Sequence, residues 1–222
     1  MKINLGCGMT PTPGWINFDN SLSVKLSRLP SPITGLLQWT GVISSRNLEY
    51  INFCRMHNIS YADVRRGIPI PDACVDAVYS SHMLEHLTRD EAAAFMREAR
   101  RVLKPGGVFR IAVPDLALKI REYALSDDAD AFIDSLDICK PLPRTLLARI
   151  GLICFVGIRH HQWFYDGRSL CRLMTEHAFS SVQVLPPGVT SISEPGQLDL
   201  AERFSESVYV EGKKSPYSCF NL

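Results

Sequence analysis

The chain has 222 residues, 46% of them hydrophobic, and its mean hydropathy is near zero. This suits one sizeable core and excludes a disordered chain and a disulfide-stapled miniprotein. With 24 Lys and Arg residues against 23 Asp and Glu residues, the formal net charge is +1, so no global field attracts nucleic acid or an anionic membrane surface.

Short apolar stretches with period-two alternation recur along the chain, separated by helical patterns. This alternation predicts a layered α/β domain with a mostly parallel sheet. The candidate strands are residues 2–5, 15–19, 60–64, 74–81, 107–113, 181–185 and 207–213. We expect them to form one seven-stranded sheet in a single domain, residues 1–222.

Helix signals lie between these strands. Thr88 and Glu91 have the spacing of a capping box, and the helix that they start is ended by the Pro-Gly-Gly of residues 105–107. A further helix is predicted after Asp166 and another near residues 48–56, whereas the rest of residues 21–59 shows no clear pattern.

Residues 114–165 are mostly helical in pattern and fall between the fifth and sixth strands, so we expect them to form an insertion that covers the substrate. The apolar run within them, residues 150–158, is far shorter than the roughly 20 residues of a membrane-spanning helix. It predicts a buried helix or a lid, and no membrane span.

The seven cysteines are scattered, form no CxxC pair and follow no signal peptide. We interpret them as reduced thiols of a cytoplasmic protein, not as disulfides or a zinc site.

The first strand ends in a glycine turn, Gly6-Cys7-Gly8, where the backbone can bend sharply and a ligand can approach closely. The second strand ends in Asp19, whose carboxylate could accept hydrogen bonds from both hydroxyls of a ribose. A role as a turn or cap residue fits Asp19 equally well. The pair favours a nucleoside-containing cofactor.

Spacing separates the two cofactor classes that use such a turn. A dinucleotide site favours G-x-G-x-x-G and an acidic residue about 20 positions further on. Here Pro11 replaces the third glycine, and Asp19 follows Gly8 by only 11 residues. S-adenosylmethionine has no phosphate to neutralise, so the spacing favours it over NAD.

Five motifs occur in order between residues 5 and 115: LGCG (5–8), GWINFD (14–19), Asp63 before IPIPD (68–72), VDAVYSSHMLEH (75–86) and LKPGG (103–107). They resemble the class I S-adenosylmethionine-dependent methyltransferases, most of all the small bacterial type-11-like members often associated with polysaccharide gene clusters. The resemblance continues more weakly through HQWFYD (161–166) and residues 207–213. It implies a Rossmann-like three-layer fold with strand order 3-2-1-4-5-7-6 and the last strand antiparallel, S-adenosylmethionine as cofactor and S-adenosylhomocysteine as product.

The resemblance also implies roles for individual residues. The glycine turn would contact the methionine and ribose portions of the cofactor, and Asp19 the ribose hydroxyls. Asp63 would accept a hydrogen bond from the adenine amino group, and Val64 would donate its backbone N–H to the ring. The full implied cofactor set is Leu5, Gly6, Cys7, Gly8, Asp19, Asp63, Val64, Ser80, Ser81 and His82. The common pattern has a helix before the first strand, which this sequence lacks, so the cover of the cofactor's amino-acid end stays open.

A hydroxyl acceptor must lose its proton during methyl transfer, and histidine suits that task near neutral pH. His82, which follows the fourth strand, and His161 in the insertion are the candidate catalytic residues, although His161 is equally consistent with a structural loop histidine. His86 is better interpreted as structural. A metal held by His82 and His86 is not favoured, because the sequence shows no third ligand in range.

Four aromatic residues, Trp15, Trp163, Phe164 and Tyr165, are core candidates that could alternatively stack on an acceptor. Basic residues are scattered, so no nucleic-acid partner is expected. We expect methyl transfer to a hydroxyl or similar oxygen of a small molecule or glycan. The alternatives are a methyltransferase acting on a protein or nucleic-acid group, an inactive cofactor-binding protein, and, disfavoured by Pro11, an NAD-dependent oxidoreductase.

Overall fold

A single seven-stranded sheet organises the computed structural model, in which the described residues are 1–138 and 160–215. Its strands are β1 (Lys2–Leu5), β2 (Ile16–Asp19), β3 (Ser60–Tyr61), β4 (Val75–Ser81), β5 (Leu103–Pro114), β6 (Phe179–Leu185) and β7 (Ser207–Lys214). The order is β3-β2-β1-β4-β5-β7-β6, with β7 antiparallel to both of its neighbours and all other pairs parallel. The predicted fold class and strand order are confirmed.

Two predicted strands differ from the structure by three or more residues at one end. The strand predicted at residues 60–64 ends at Tyr61, because the Arg66 N–H donates to the Asp63 carbonyl and turns the chain. The strand predicted at residues 107–113 begins at Leu103, which pairs with Val75. The next pair in the ladder is Ala77 with Val108, so residues 104–107 of β5 lie opposite the single residue Asp76 and form a bulge.

Seven α-helices occur in the described residues: α1 (Leu22–Leu26), α2 (Ser31–Trp39), α3 (Ser45–Met56), α4 (Arg89–Val102), α5 (Leu116–Ser126), α6 (Ala129–Ser135) and α7 (Gly167–Glu176). The capping box of Thr88 and Glu91 starts α4 as predicted, and Asp166 caps α7. Helix α3 contains the helix predicted near residues 48–56, and α1 and α2 fill the part of residues 21–59 that the sequence pattern left unassigned.

The predicted insertion is described only at its two ends. Its beginning holds α5 and α6, and its end returns to the sheet, where Asp115 and Tyr165 form a β-bridge. The apolar run at residues 150–158, predicted to form a lid or a buried helix, lies outside the described residues.

The two faces of the sheet are covered differently. Helices α4 and α7 pack on one face over the main core, which includes Phe95, Phe109 and Leu170. On the other face, Ile192 and Leu198 pack against Trp15 and Tyr79. These two apolar residues belong to the connection between β6 and β7, residues 186–206, which we call the covering segment.

In the described part of the chain, no helix combines the length and the apolar character needed to cross a membrane. The described cysteines, Cys7, Cys54, Cys74 and Cys171, are free thiols.

Candidate active site

The glycine turn joins the ends of β1 and β2. The N–H groups of Gly6 and Cys7 both donate to the Phe18 carbonyl, at 2.9 and 3.0 Å. Gly6 and Gly8 have φ angles of +72° and +49°, a region that favours glycine. A Cβ atom added to Gly6 would lie 2.7 Å from Cγ of Met83, whereas one added to Gly8 would meet no atom within 4 Å. Gly6 therefore permits close packing, and Gly8 borders open space.

Asp19 is hydrogen-bonded to this turn, as the sequence led us to expect from its place at the end of β2. Gly8 N–H donates to its Oδ2 at 3.1 Å, and Ser21 N–H donates to its Oδ1 at 2.8 Å. A carboxylate offers about four lone-pair sites, so two remain for a ligand. Asp19 thus holds the turn in shape and keeps the capacity to bind a ribose, which stays a prediction.

Helix α3 covers the back of the turn with Tyr50 and Cys54, which pack beside Cys7. Burial raises the pKa of the Cys54 thiol to about 11 and raises that of Cys7 further. Both thiols are therefore protonated near neutral pH and are not nucleophiles.

Asp63 is already paired in this structure. Arg65 binds both of its carboxylate oxygens at 2.7 Å through Nε and a terminal guanidinium nitrogen. Burial raises the pKa of Asp63, but the hydrogen bonds and charge of Arg65 outweigh it and lower the pKa overall. The adenine contact predicted for Asp63 would share the carboxylate with Arg65, a partner that the sequence analysis missed. Val64, beside it, is buried.

A surface groove of about 560 Å³ lies between residues 64–69 and the side chains of α4. Of the residues predicted to bind the cofactor, only Val64 lines it. The groove is therefore distinct from the glycine turn and from the end of β4.

The carboxyl end of β4 carries Ser80, Ser81 and His82, and both serines are buried. The backbone of His82 has a φ of +47°. Its Nδ1 lies 3.1 Å from a guanidinium nitrogen of Arg203, and its Nε2 lies 2.8 Å from Oγ of Ser207. Because a guanidinium only donates, Nδ1 accepts, and we assign the ring proton to Nε2.

Burial, with the charge of Arg203 as a smaller cause, lowers the pKa of His82 to about 3. Its ring is therefore neutral near pH 7, and both ring nitrogens are engaged. The catalytic role predicted for His82 stays a prediction, and the contacts show a side chain fixed by its neighbours.

Glu85 and His161, which are remote in sequence, meet next to the end of β4. The Glu85 carbonyl accepts hydrogen bonds from the N–H groups of Gln162, at 2.7 Å, and Trp163, at 3.2 Å. These bonds hold residues 160–163 against the 3-10 helix Leu84–His86. Nε2 of His161 lies 4.0 Å from Oε1 of Glu85, and the rings of His161 and His86 meet edge to face, with their centroids 4.9 Å apart.

The Glu85 side chain is buried, and the residue is only 1% exposed. Among the described residues, neither of its oxygens accepts a hydrogen bond. Nδ1 of His82 is 3.6 Å from Oε1. Burial raises the pKa of Glu85 to about 8.

Glu85, His86 and His161 form a cluster that the sequence analysis did not identify. The sequence analysis expected no third metal ligand in range of His82 and His86. In the structure, the ligand atoms of Glu85, His86 and His161 all lie within 4.8 Å of one another. The structure therefore groups His161 with His86 and Glu85, and His82 lies beside the same carboxyl group, with its Nδ1 3.6 Å from Oε1. The sequence shows the adjacent pair Glu85 and His86, but His161 is too far along the chain for its spacing to indicate that it joins them.

The covering segment supplies further polar groups at this edge of the sheet. Thr10 Oγ1 and Tyr79 Oη donate to the two carboxylate oxygens of Glu202, at 3.2 and 2.9 Å. Arg203, the next residue, contacts His82. Sequence reasoning missed both residues, because residues 186–206 carry no periodic pattern.

The aromatic candidates divide into two groups. Trp15 and Tyr165 are buried in the core. Trp163 is 44% exposed, with the Arg89 guanidinium 4.9 Å from its ring centroid, and Phe164 packs edge to face against His161. Trp163 and Phe164 are therefore the members of this set that lie beside the cluster.

Comparison with known families gives a partial match. Residues 32–111 match the model of a family described as a methyltransferase domain. A probable S-adenosylmethionine-dependent methyltransferase of Mycolicibacterium smegmatis is 44% identical over 57 residues, which are 24% of this chain and 21% of that protein. A 37.1 kDa uncharacterized protein of a Streptomyces fradiae transposon is 24% identical over 202 residues, 88% of this chain and 47% of that protein. The chain spans less than half the length of either curated relative.

Solved structures share the fold. A methyltransferase from Thermotoga maritima, described as a possible histamine N-methyltransferase, aligns with a TM-score of 0.50 at 16% identity over 96% of this chain and 82% of that one. A methyltransferase from Methanosarcina mazei aligns with a TM-score of 0.51 at 11% identity over 97% and 92% of the two chains. The chain therefore shares the fold of these solved structures, and its residues 32–111 match a methyltransferase domain.

Proposed function

We propose that this chain transfers a methyl group from S-adenosylmethionine to a hydroxyl or similar oxygen of a small molecule or glycan. The observation that supports cofactor binding is the hydrogen bond from the Gly8 N–H to Asp19, which joins Asp19 to the glycine turn at the carboxyl edge of the sheet. In open α/β sheets, ligands bind at this edge. The open space beside Gly8 and the two remaining acceptor sites of Asp19 fit a neutral ribose.

The oxygen acceptor is the finer part of the proposal. S-adenosylmethionine supplies a methyl group activated by its sulfonium, so the protein's main task is to align the acceptor, which can supply roughly 7–11 kcal/mol of the barrier. A hydroxyl acceptor also releases a proton. We place the acceptor oxygen beside Glu85 and His161, because Met83 brings this part of the chain against Gly6. The resemblance to enzymes of polysaccharide gene clusters also favours a glycan.

Of the two histidines predicted to be catalytic, the contacts favour His161 on the acceptor side. Both ring nitrogens of His82 are engaged by Arg203 and Ser207, and its pKa is low. His161 lies between Glu85 and the partly exposed residues 163 and 164.

Calorimetric titration of the full chain with S-adenosylhomocysteine and with NAD tests the cofactor. We expect binding of the first and none of the second. Asp19→Ala should weaken S-adenosylhomocysteine binding by about 1.5–3 kcal/mol, the range for hydrogen bonds to a charged group. Unchanged affinity in a folded Asp19→Ala protein would remove Asp19 from the cofactor site.

A matched control separates binding from folding in that experiment. Asp166 also accepts a backbone N–H, from Ser169 at 2.7 Å, but it caps α7. Asp166→Ala should lower the unfolding free energy and leave the affinity for S-adenosylhomocysteine unchanged.

The acceptor class needs its own measurement. Transfer of a labelled methyl group from S-adenosylmethionine would be measured with hydroxyl-bearing glycans and small alcohols, and in parallel with proteins, nucleic acids and amines. We expect label in the hydroxyl-bearing compounds. Label only in a macromolecule would contradict the proposed acceptor, and cofactor binding without any transfer would favour an inactive binding protein.

A further inference from the structure

We propose that Glu85, His86 and His161 form a binding site for one divalent transition-metal ion beside the glycine turn. The three side chains come from the 3-10 helix after β4 and from the end of the insertion. Their ligand atoms all lie within 4.8 Å of one another.

The distances are close to those of a coordinated set. Two atoms bound to one zinc ion at about 2.1 Å can be at most about 4.2 Å apart. Oε1 of Glu85 and Nε2 of His161 are already 4.0 Å apart. Tetrahedral coordination brings ligand atoms to about 3.4 Å from one another, so the atoms of this set, which lie within 4.8 Å, would have to approach by about 1 Å or slightly more.

A second observation points to a ligand here. The Glu85 carboxyl group is buried, and neither of its oxygens accepts a hydrogen bond from the described residues. Buried carboxylates in proteins are paired, hydrogen-bonded or bound to a metal, because leaving one unpaired is costly. Glu85 has instead two imidazole rings beside it, within the reach of a shared ion.

The backbone holds these groups in place. Gln162 and Trp163 donate their N–H groups to the carbonyl of Glu85, so the chain on both sides of the cluster is tied together. A site on such a scaffold loses little conformational freedom when an ion binds.

The donor types indicate the class of ion. Imidazole nitrogen suits Zn²⁺ and its neighbours in the first transition row, whereas Mg²⁺ and Ca²⁺ favour sites made wholly of oxygen. Two histidines and one glutamate supply three protein ligands, and zinc sites of that kind keep a further position open. We therefore assign the site to Zn²⁺ or a similar ion, not to Mg²⁺.

The consequence for the reaction rests on the proposed function. Met83, two residues before Glu85, packs against Gly6, so the ion would lie near the cofactor turn. A bound ion lowers the pKa of an oxygen that it contacts. It would help a hydroxyl acceptor to release its proton to water while the oxygen receives the methyl group and the sulfur keeps the electron pair of the broken bond.

Zinc binding tests the site directly and needs no acceptor. The full chain, stripped with a chelator, would be titrated with Zn²⁺ and separately with Mg²⁺. We expect one equivalent of Zn²⁺ to bind and Mg²⁺ to bind far more weakly. Glu85→Gln and His161→Ala should each weaken the zinc affinity by more than about tenfold, since loss of even an outer-shell partner costs about 10–100-fold.

His160→Ala is the matched control, because it removes the neighbouring imidazole, which is not part of the cluster. It should bind zinc as the unaltered chain does. Zinc held by the free cysteines would not respond to Glu85→Gln. Absence of a saturable zinc site, or equal affinity in the Glu85→Gln and His160→Ala proteins, would overturn the proposal.

Circular dichroism and S-adenosylhomocysteine titration of each protein would verify folding, and Glu85→Gln preserves the side-chain shape. The same titrations separate the two proposals. Binding of S-adenosylhomocysteine without zinc overturns the metal site and leaves the proposed function standing. Binding of zinc without S-adenosylhomocysteine does the reverse.

Discussion

At the scale of single residues, the two glycines of the turn have different tasks despite their similar backbone angles. Gly6 is pressed against Met83, with no room for a Cβ atom, so its small size joins the turn to the segment that carries Glu85. Gly8 has room for a side chain and donates its N–H to Asp19. Gly6 is therefore required for packing, whereas Gly8 is predicted to face the ligand.

This difference predicts that the same substitution lowers the unfolding free energy more at Gly6 than at Gly8. Both Gly6→Ala and Gly8→Ala pay the cost of a positive φ, roughly 1–2 kcal/mol. Gly6→Ala should lose more, by about 1–3 kcal/mol, because the overpacked contact with Met83 must relax. Urea denaturation would measure both. Equal unfolding free energies for the two variants would contradict the packing argument.

Bulk at Gly8 tests the ligand side of the turn. Gly8→Val should lower the unfolding free energy because of the positive φ, but leave the chain folded, since no atom lies within 4 Å of an added Cβ, and it should block S-adenosylhomocysteine. Circular dichroism would verify the fold, and calorimetry the binding. Normal titration of this variant would mean that the turn is an ordinary one.

At the scale of elements, the covering segment is held down by one buried arginine of β5. Arg110 is fully buried and donates to the carbonyls of Val189 and Leu200, both at 2.8 Å, and to Oε1 of Glu211 at 2.7 Å. The segment has no regular hydrogen-bond ladder of its own in this region, so these side-chain bonds replace one. They position Glu202 and Arg203 near the candidate site.

Removing that arginine should therefore destabilise both the sheet and the segment. Arg110→Met keeps much of the side-chain volume but leaves Glu211 without its cation, and breaking a buried pair in this way costs about 3–5 kcal/mol. Urea denaturation would measure the loss, and limited proteolysis should show faster cleavage within residues 186–206. Arg100→Met is the control, since that half-buried side chain donates, within residues 1–138 and 160–215, to the Ala178 carbonyl alone, at 3.3 Å.

Elements that depend on neighbouring residues could be predicted from the sequence, whereas elements that depend on distant residues could not. The capping boxes of α4 and the alternating strands depend on local residues, so Thr88, Glu91 and most strand positions were predicted correctly. The early end of β3 was not predicted, because it depends on a turn closed by the hydrogen bond from the Arg66 N–H to the Asp63 carbonyl. The covering segment was not predicted either, since a buried arginine on another strand shapes it.

At the scale of the whole molecule, the candidate site is assembled from distant parts of the chain. His82 contacts Arg203 and Ser207, and Glu85 contacts residues 161–163. The strand order places the glycine turn and the end of β4 side by side, which motif order implied. The order of the motifs does not determine which residue of the insertion reaches Glu85. The proposed metal-binding cluster could therefore be identified only in the structure.

The whole fold should also lose stability in acid, with Glu211 as a main contributor. Burial raises the pKa of Glu211, but hydrogen bonds from Thr190, Ser191 and Arg110 outweigh it and lower the pKa overall. A folded-state pKa below the unfolded value of about 4.3 means that the unfolded chain binds more protons. The contribution is therefore fully present above that value and is lost as the pH falls through the folded-state pKa.

Glu211→Gln isolates this contribution, because the amide keeps the shape and one acceptor oxygen but has no charge to titrate. At pH 7 the variant should be less stable by about 3–5 kcal/mol, because the buried Arg110 cation is left without its partner charge. The difference should shrink as the pH falls below about 4.3, where protonation also removes the charge in the unaltered chain. Urea denaturation between pH 3 and pH 7 would measure it. A difference that stays constant over this range would mean that the charge of Glu211 does not stabilise the fold.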